Sequence, residues 1–338
     1  MRVPSIDIIR GFAILIMIFA NSYPYLYPYE YCPKLLRLFF SSAAPVFIFL
    51  SGVSLRLAQE NGKELRALII RAFQILFFAI IIDVLIWSIV PFFTMDVLYL
   101  ISFSLLITIS ILSFSDKVKL IVAIVFIILT TATKSYYNFE LKELPIESFF
   151  SENLLYPSLH HVFIDGWFPV IPWSGFTVFG YLVCKNRVTL SKHSKYILSS
   201  GIILILVFSI LYSNAVVSAN PLRNGYTEIF YPVSAAYLLY VFGLFLVITF
   251  LLNYNSTGFG LVGLIGKFSL PIYFIHIFLI KYYLPLFFQS TDDFNKYFFL
   301  FGVSTFYLLI FLFLAVMRIV EPEIKSKKKR CVAFLLGL

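Results

Sequence analysis

Charge is what this chain most lacks. Only 13% of its 338 residues are Asp, Glu, Lys or Arg, 61% are hydrophobic, and the mean hydropathy is +0.94. So few charges cannot cover a globular surface, which excludes the water-soluble classes. Cysteine is nearly missing too. Cys32, Cys184 and Cys331 fall in unrelated contexts, so there is neither a disulfide framework nor a metal-ligand spacing, and no metal is expected. No internal repeat and no separate soluble domain is visible. A cleavable signal is disfavoured because Asp7 and Arg10 interrupt the first apolar run and no small-residue cleavage pattern follows.

Long apolar runs are what the chain does have. Ten stretches long enough to span a bilayer recur at 7–26, 42–58, 67–90, 97–114, 118–133, 167–185, 196–214, 231–252, 265–287 and 297–319. Only Ser115 to Lys119 separates the fourth from the fifth. The expected fold is an all-α polytopic membrane bundle of about ten transmembrane helices, a single domain over 1–324 followed by a basic tail at 325–338. With the N-terminus inside, 19 of the 26 basic residues face the cytoplasm, so both termini are expected there. The net charge of +9 follows from this asymmetry and from attraction to the inner leaflet, and needs no nucleic acid. The run Lys325 to Arg330 reads as a stop-transfer and phospholipid contact. Asn255-Ser256-Thr257 has a glycosylation pattern on the wrong side to be used. A plasma-membrane location is expected, and a homodimer stays open beside a monomer.

Polar groups at membrane depth are costly, so each asks for a reason. The first span carries Asp7 and Arg10 on one helical face and Asn21 roughly 16 Å further along. This is either a plain anchor with a snorkelling Arg or one wall of a site. The second span holds the small-residue patch Ser51-Gly52-Val53-Ser54, suited to close packing, and then Arg56. Asp83 is an isolated acid in the third span that must pair or be protonated. His160-His161 and Asp165 stand where the chain re-enters the membrane, beside Gly166, Pro169 and Pro172, with Trp167 and Trp173 alongside. An imidazole oriented by a carboxylate suits a general base, although a loop histidine pair can equally be solvated polarity. Ser269, Tyr273 and His276 form a polar stripe on the ninth span, either a packed network or part of a site. The aromatic, acidic segment Lys134 to Gly166 is long enough to cap a site.

Several ordered pieces resemble a known family. Ser5-Ile6-Asp7-Ile8-Ile9-Arg10-Gly11 with Met17 and Asn21, Ala44 to Gly52, Phe168 to Trp173, Tyr231 to Ser234, and Gly266-x-x-Ser269-Leu270-x-Ile272-Tyr273-x-x-His276 are similar to the membrane acyltransferases related to heparan-alpha-glucosaminide N-acetyltransferase. The resemblance implies an enzyme that takes an acyl group, acetyl in the first instance, from cytoplasmic acyl-CoA. It passes that group to an amine or hydroxyl, a sugar by expectation, at the other face. The chain departs from the pattern in three places. The exterior histidine of the animal enzyme has no counterpart between Tyr23 and Leu38, Asn21 stands where many bacterial relatives carry His, and Asp165 is displaced by one residue.

On this reading the coenzyme phosphates fall to Arg10, Arg56, Arg71 and Lys267. The pantetheine arm runs between the first, second and ninth spans. His161 or His276 takes the acceptor's proton, with Asp165 beside His161, while Asn21 donates to the thioester oxygen. His160, Trp167, Trp173, Asp83, Ser269 and Tyr273 are the expected substrate contacts. Two other classes compete: a transporter or flippase for a lipid-linked or sugar substrate, and a non-catalytic membrane scaffold. Transporters usually carry an inverted repeat, which is not seen here.

Overall fold

The computed structural model describes residues 3–26, 32–136, 143–150, 154–215, 233–252, 260–288 and 296–326. The Tyr231-Pro232 pair, the Asn255-Ser256-Thr257 tripeptide and the tail from Lys327 onward lie outside the described residues. In chain order the helices are α1 (Pro4–Leu26), α2 (Lys34–Ser41), α3 (Ala43–Glu60), α4 (Leu65–Ile81), α5 (Val97–Ser110), α6 (Asp116–Tyr136), α7 (Leu155–His160) and α8 (Val170–Lys185). They continue with α9 (Arg187–Ser191), α10 (Ser194–Asn214), α11 (Ala235–Leu251), α12 (Gly260–Lys267), α13 (Ser269–Tyr282), α14 (Pro285–Phe288) and α15 (Lys296–Ser326). Extended pairing among the described residues is limited to one isolated bridge, Ile89 with Pro145.

Helix occupies each of the ten predicted segments, as a chain this poor in charge requires if its backbone is to be satisfied in oil. Among the described residues, five helical stretches are long and apolar enough to cross a membrane, and seven if two bent pairs each count as one span. The bends measure 50° where α7 and the turn after it meet α8, and 83° between α12 and α13. Helix α5, at 14 residues, rises roughly 21 Å, short of the ~30 Å hydrocarbon core.

Two compact units form within the expected single domain: residues 33–254, and residues 2–32 together with 255–338. In the first, α8 is the central helix and packs against α3, α5 and α6. It is apolar nearly all round, which suits a helix enclosed by others. Small residues set the separation. A Cβ on Gly52 of α3 would lie 1.9 Å from the Thr177 carbonyl oxygen, and one on Gly180 of α8 would lie 2.1 Å from that of Phe49. Ser51 Oγ meets Thr177 Oγ1 at 3.2 Å, and further along Glu60 meets Arg187. Away from the crossing, the contacts advance from Ile48–Thr177 through Arg56–Tyr181 to Glu60–Arg187 at the start of α9, so α3 and α8 run parallel. The same small-residue logic joins α10 to α11 at Gly201 and Gly243.

In the second unit α1 packs against α12 and α13, and α13 against α15. Here the sequence Arg10-Gly11 has a steric meaning. A Cβ on Gly11 would sit 2.0 Å from the Val262 carbonyl oxygen, and one on Gly266 would sit 1.7 Å from that of Asp7. The two backbones touch only because both positions lack a side chain.

Candidate functional site

The residues His161–Asp165 wind into a π-helical turn, closed by the Gly166 amide donating to the His161 carbonyl at 3.0 Å. Such widened turns cluster at functional positions because they re-aim side chains. Here the turn brings both imidazoles onto one carboxylate oxygen. Asp165 Oδ1 lies 2.7 Å from His161 Nδ1 and 3.0 Å from His160 Nδ1. His161 and Asp165 are buried and His160 is half-buried. An ionised carboxylate only accepts, so Nδ1 of His161 carries the proton, and in the neutral ring Nε2 holds the lone pair. The Phe93 ring lies against His161 with centroids 4.9 Å apart.

Phe93 belongs to an irregular segment, Ser88 to Asp96, that fixes this turn from one side. The Trp167 amide donates to the Thr94 carbonyl at 3.0 Å and the Phe168 amide to that of Met95 at 2.9 Å. Gly166 is pressed so close that a Cβ would fall 2.3 Å from Met95 Cβ. Ser88, Phe92 and Met95 hold left-handed backbone at φ 57°, 72° and 47°. Each costs ~1 kcal/mol or more that the surroundings must offset. Asp83 does part of that. It is fully buried in the π-helical turn Ile82–Trp87 after α4, and accepts from Thr94 Oγ1 and from the Tyr99 hydroxyl, both at 2.8 Å. Part of the expected capping segment lies against the same loop. The Val90 amide donates to the Leu144 carbonyl, the Ile146 amide to that of Ser88, and Trp167 Nε1 to Glu143. Trp173 is buried between Phe168 and Phe176.

The second unit holds a different histidine. His276 is fully buried, its Nδ1 is 3.1 Å from the Ile272 carbonyl oxygen, and its Nε2 is 3.3 Å from Asn21 Nδ2. A carbonyl only accepts, so Nδ1 carries the proton and Nε2 accepts from the Asn21 amide. Tyr273 meets the His276 ring edge-on, with centroids 5.0 Å apart. Ser269 begins the same helix, half-buried. The expected stripe therefore exists, with the lone pair of its imidazole already engaged.

The basic candidates divide. Arg10 donates to Asp7 at 3.0 Å, and Lys267 forms an ion pair with Glu321 of α15. Arg71 donates to Gln74 at 2.7 Å. Arg56 borders a cavity of about 560 Å³ shared with Gln59, Asp116, Lys119, Tyr181 and Lys185. Its guanidinium reaches Glu60 at 3.0 Å and stands over the Tyr181 ring at 5.8 Å. Arg187 grips Glu60 through both its terminal nitrogens, and this carboxylate holds the guanidinium above its ordinary pKa. Lys185 bridges to Asp116 at 2.6 Å and keeps that carboxyl below its usual range. Gln59 Oε1 is buried with no hydrogen-bond partner among the described residues. Sequence reasoning singled out Arg56 and missed Lys119, Lys185 and Arg187 as its neighbours, because the four come from four helices. It also missed Thr94 and Tyr99, the partners of Asp83.

Helix α8 connects the two polar ends of the first unit. From Pro172 to Lys185 it rises roughly 20 Å, with the histidine turn before its start and the cation-lined cavity around its last turn. Among curated proteins no sequence matches the chain. The family model described as heparan-alpha-glucosaminide N-acetyltransferase, catalytic, matches residues 2–211, a range that takes in Asn21, Arg56, Asp83 and the His160–Asp165 turn. With well over half of its length covered by that model, the chain belongs to the heparan-alpha-glucosaminide N-acetyltransferase catalytic family.

Proposed function

We propose that this protein is a membrane acyltransferase that moves an acetyl group from acetyl-CoA to the amine or hydroxyl of a sugar acceptor. The donor approaches from the cytoplasm and the acceptor from the opposite face. One observation carries the reading: a carboxylate-oriented imidazole stands before one end of α8, and a cation-lined cavity surrounds the other. The cytoplasmic position of the cavity end is supported by the concentration of cations on that side of membrane proteins.

The chemistry follows from the nitrogen inventory. Asp165 fixes the ring of His161 by taking the Nδ1 proton in a hydrogen bond, so Nε2 is turned to the acceptor. Nε2 removes the acceptor's proton as its nitrogen or oxygen attacks the thioester carbonyl. The C–S bond breaks, and the coenzyme leaves as its thiol after taking up that proton. His160, on the same carboxylate, and Trp167 border the acceptor. Arg56, with Lys119 and Lys185, offers charge-assisted donors to the coenzyme phosphates, and Arg71 of the same unit is a further candidate for that role. Within the second unit, Asn21 gives one amide hydrogen to His276. Between the two histidines, geometry favours His161 as base, since the Nε2 lone pair of His276 already accepts from Asn21.

The test supplies radiolabelled acetyl-CoA to membranes containing the wild-type chain or His161→Ala, with glucosamine and glucosaminides as acceptors. Label should pass to the acceptor in the wild type and fall by about two orders of magnitude in the variant. Transfer unchanged in His161→Ala rejects the assignment of the base, and no label on any acceptor rejects acetyl transfer to sugars.

A further inference from the structure

We propose that Asp83 and Thr94 are positioning residues that hold the His161–Asp165 pair in register through the Ser88–Asp96 segment. The inference deepens the acyltransferase reading and rests on it for the consequence in turnover, but not for the structural claim.

The chain of contacts is continuous and short. Asp83 is entirely buried, and both of its oxygens are engaged at 2.8 Å, one by Thr94 Oγ1 and one by the Tyr99 hydroxyl. Each oxygen thus has a protein hydroxyl as its donor. Thr94 then passes the constraint on twice. Its hydroxyl accepts from the Asp96 amide at 3.3 Å, and Asp96 caps α5 by accepting from the Val97 amide at 2.6 Å. Its carbonyl accepts from Trp167, one residue past the glycine that closes the histidine turn. Next to it, the Met95 carbonyl takes the Phe168 amide and the Met95 side chain fills the space that Gly166 leaves. On the other flank of Thr94, the Phe93 ring lies on the His161 imidazole.

A segment with three non-glycine residues in left-handed backbone does not hold that shape by local preference. Something outside it must fix the shape, and an acid buried in a membrane span with two hydroxyl donors is a strong and specific clamp. Asp83 therefore acts at a distance. It accepts hydrogen bonds from the loop, the loop holds the backbone of Trp167 and Phe168, and that backbone fixes where the π-helical turn aims its imidazoles.

The test uses the full chain, purified in detergent, with two readouts. The first is the rate at which diethyl pyrocarbonate modifies His161, resolved from His160 by fragment-ion mass spectrometry. The second is acetyl transfer, with kcat separated from KM. Thr94→Val keeps the shape and loses the hydroxyl. It should change the His161 modification rate at least threefold and lower kcat about tenfold, with KM for acetyl-CoA within twofold. Thr94→Ser, which restores the hydroxyl, should return both to within twofold of wild type. If Thr94→Val does not stay monodisperse, Tyr99→Phe removes the other donor to Asp83 and should move both readouts the same way. A His161 modification rate equal to wild type in the folded variant overturns the proposal, whatever happens to turnover. A changed rate in a chain that transfers no acetyl group supports the clamp and rejects the acyltransferase reading instead.

Discussion

Replacing Gly52 by Ala is the sharpest test of how the first unit is assembled. The added Cβ would lie 1.9 Å from the Thr177 carbonyl oxygen and 2.8 Å from the Tyr181 amide nitrogen. Both obstacles are backbone, so no rotamer change relieves them. Reaching the 3.4 Å of ordinary contact requires α3 and α8 to part by about 1.5 Å at their crossing. Two polar contacts stand in the way, Thr177 Oγ1 to the Ile48 carbonyl and Ser51 Oγ to Thr177 Oγ1, each already 3.2 Å long. Overpacking of this kind costs about 1–3 kcal/mol. The two hydrogen bonds add ~0.6 kcal/mol apiece, and the better helix propensity of Ala returns about 1 kcal/mol. The net is a destabilisation of about 1–3 kcal/mol, or roughly 2–12 °C in melting temperature for a body of this size.

The assay is the fraction of full-length protein that stays monodisperse in detergent after heating, measured across temperature. Gly260→Ala is the control, since a Cβ there meets nothing within 4 Å. Gly180→Ala meets the Phe49 carbonyl at 2.1 Å and should behave like Gly52→Ala. The double variant should cost clearly less than the sum, because the first substitution has already opened the crossing that the second needs. Gly52→Ala melting within about 1 °C of the control would refute the reasoning that this contact sets the helix spacing.

Asp165→Asn should keep the fold and lower acetyl transfer by one to two orders of magnitude, since an amide can present a donor to Nδ1 and turn the imidazole into the wrong tautomer, checked by initial rates at fixed acetyl-CoA. Asn21→Leu should destabilise the second unit by ~1–3 kcal/mol by leaving His276 Nε2 buried without its donor, read in the same heating assay. The Lys185–Asp116 bridge predicts a pH signature. Because Lys185 lowers the folded pKa of Asp116 below its ordinary 3.8, the bridge stabilises the chain above that value and loses its effect as pH falls through the lowered one. Asp116→Asn should accordingly melt below wild type at pH 6, and the gap should close as the pH is taken down through the lowered pKa.

The helices were legible because hydropathy in a bilayer is a constraint on every residue of a span rather than a preference. The break at Phe268 was less so. Pro271 hints at it, yet nothing in the residues fixes a bend of 83°. The pairing of His161 with Asp165 could be read from a spacing of four, and Gly11 and Gly266 could be flagged as motif glycines, although only coordinates reveal that the two belong to one helix crossing. The Ser88–Asp96 segment was opaque for a physical reason. Left-handed backbone is expected at Gly, Asn or Asp, and here Ser88, Phe92 and Met95 adopt it. Tertiary contact imposes that conformation, so no local pattern announces it. Asp83 stood out as an acid in oil, whereas its partners Thr94 and Tyr99, eleven and sixteen residues away, are ordinary residues until the chain folds. The cavity around Arg56 was invisible on the same grounds, since its cations are contributed by α3, α6 and α8.

The two buried histidines show why depth in the membrane is a poor guide to chemistry. His276 is the deeper by sequence, is wholly enclosed, and sits in the motif that first draws attention. Its two nitrogens are nonetheless both assigned: one donates to a carbonyl of its own helix and the other accepts from Asn21. Such a ring can hold α1 against α13, and it must give up a hydrogen bond before it can accept a proton from anything else. His161 has the opposite arrangement. Its Nδ1 faces a carboxylate that only accepts, so the ring is oriented without its Nε2 lone pair being used by any of the described residues. The same side chain is thus a structural tie in one unit and a candidate base in the other. What separates them is whether the second partner is a donor or an acceptor, and that distinction, rather than burial, selects His161 for the first substitution to be assayed.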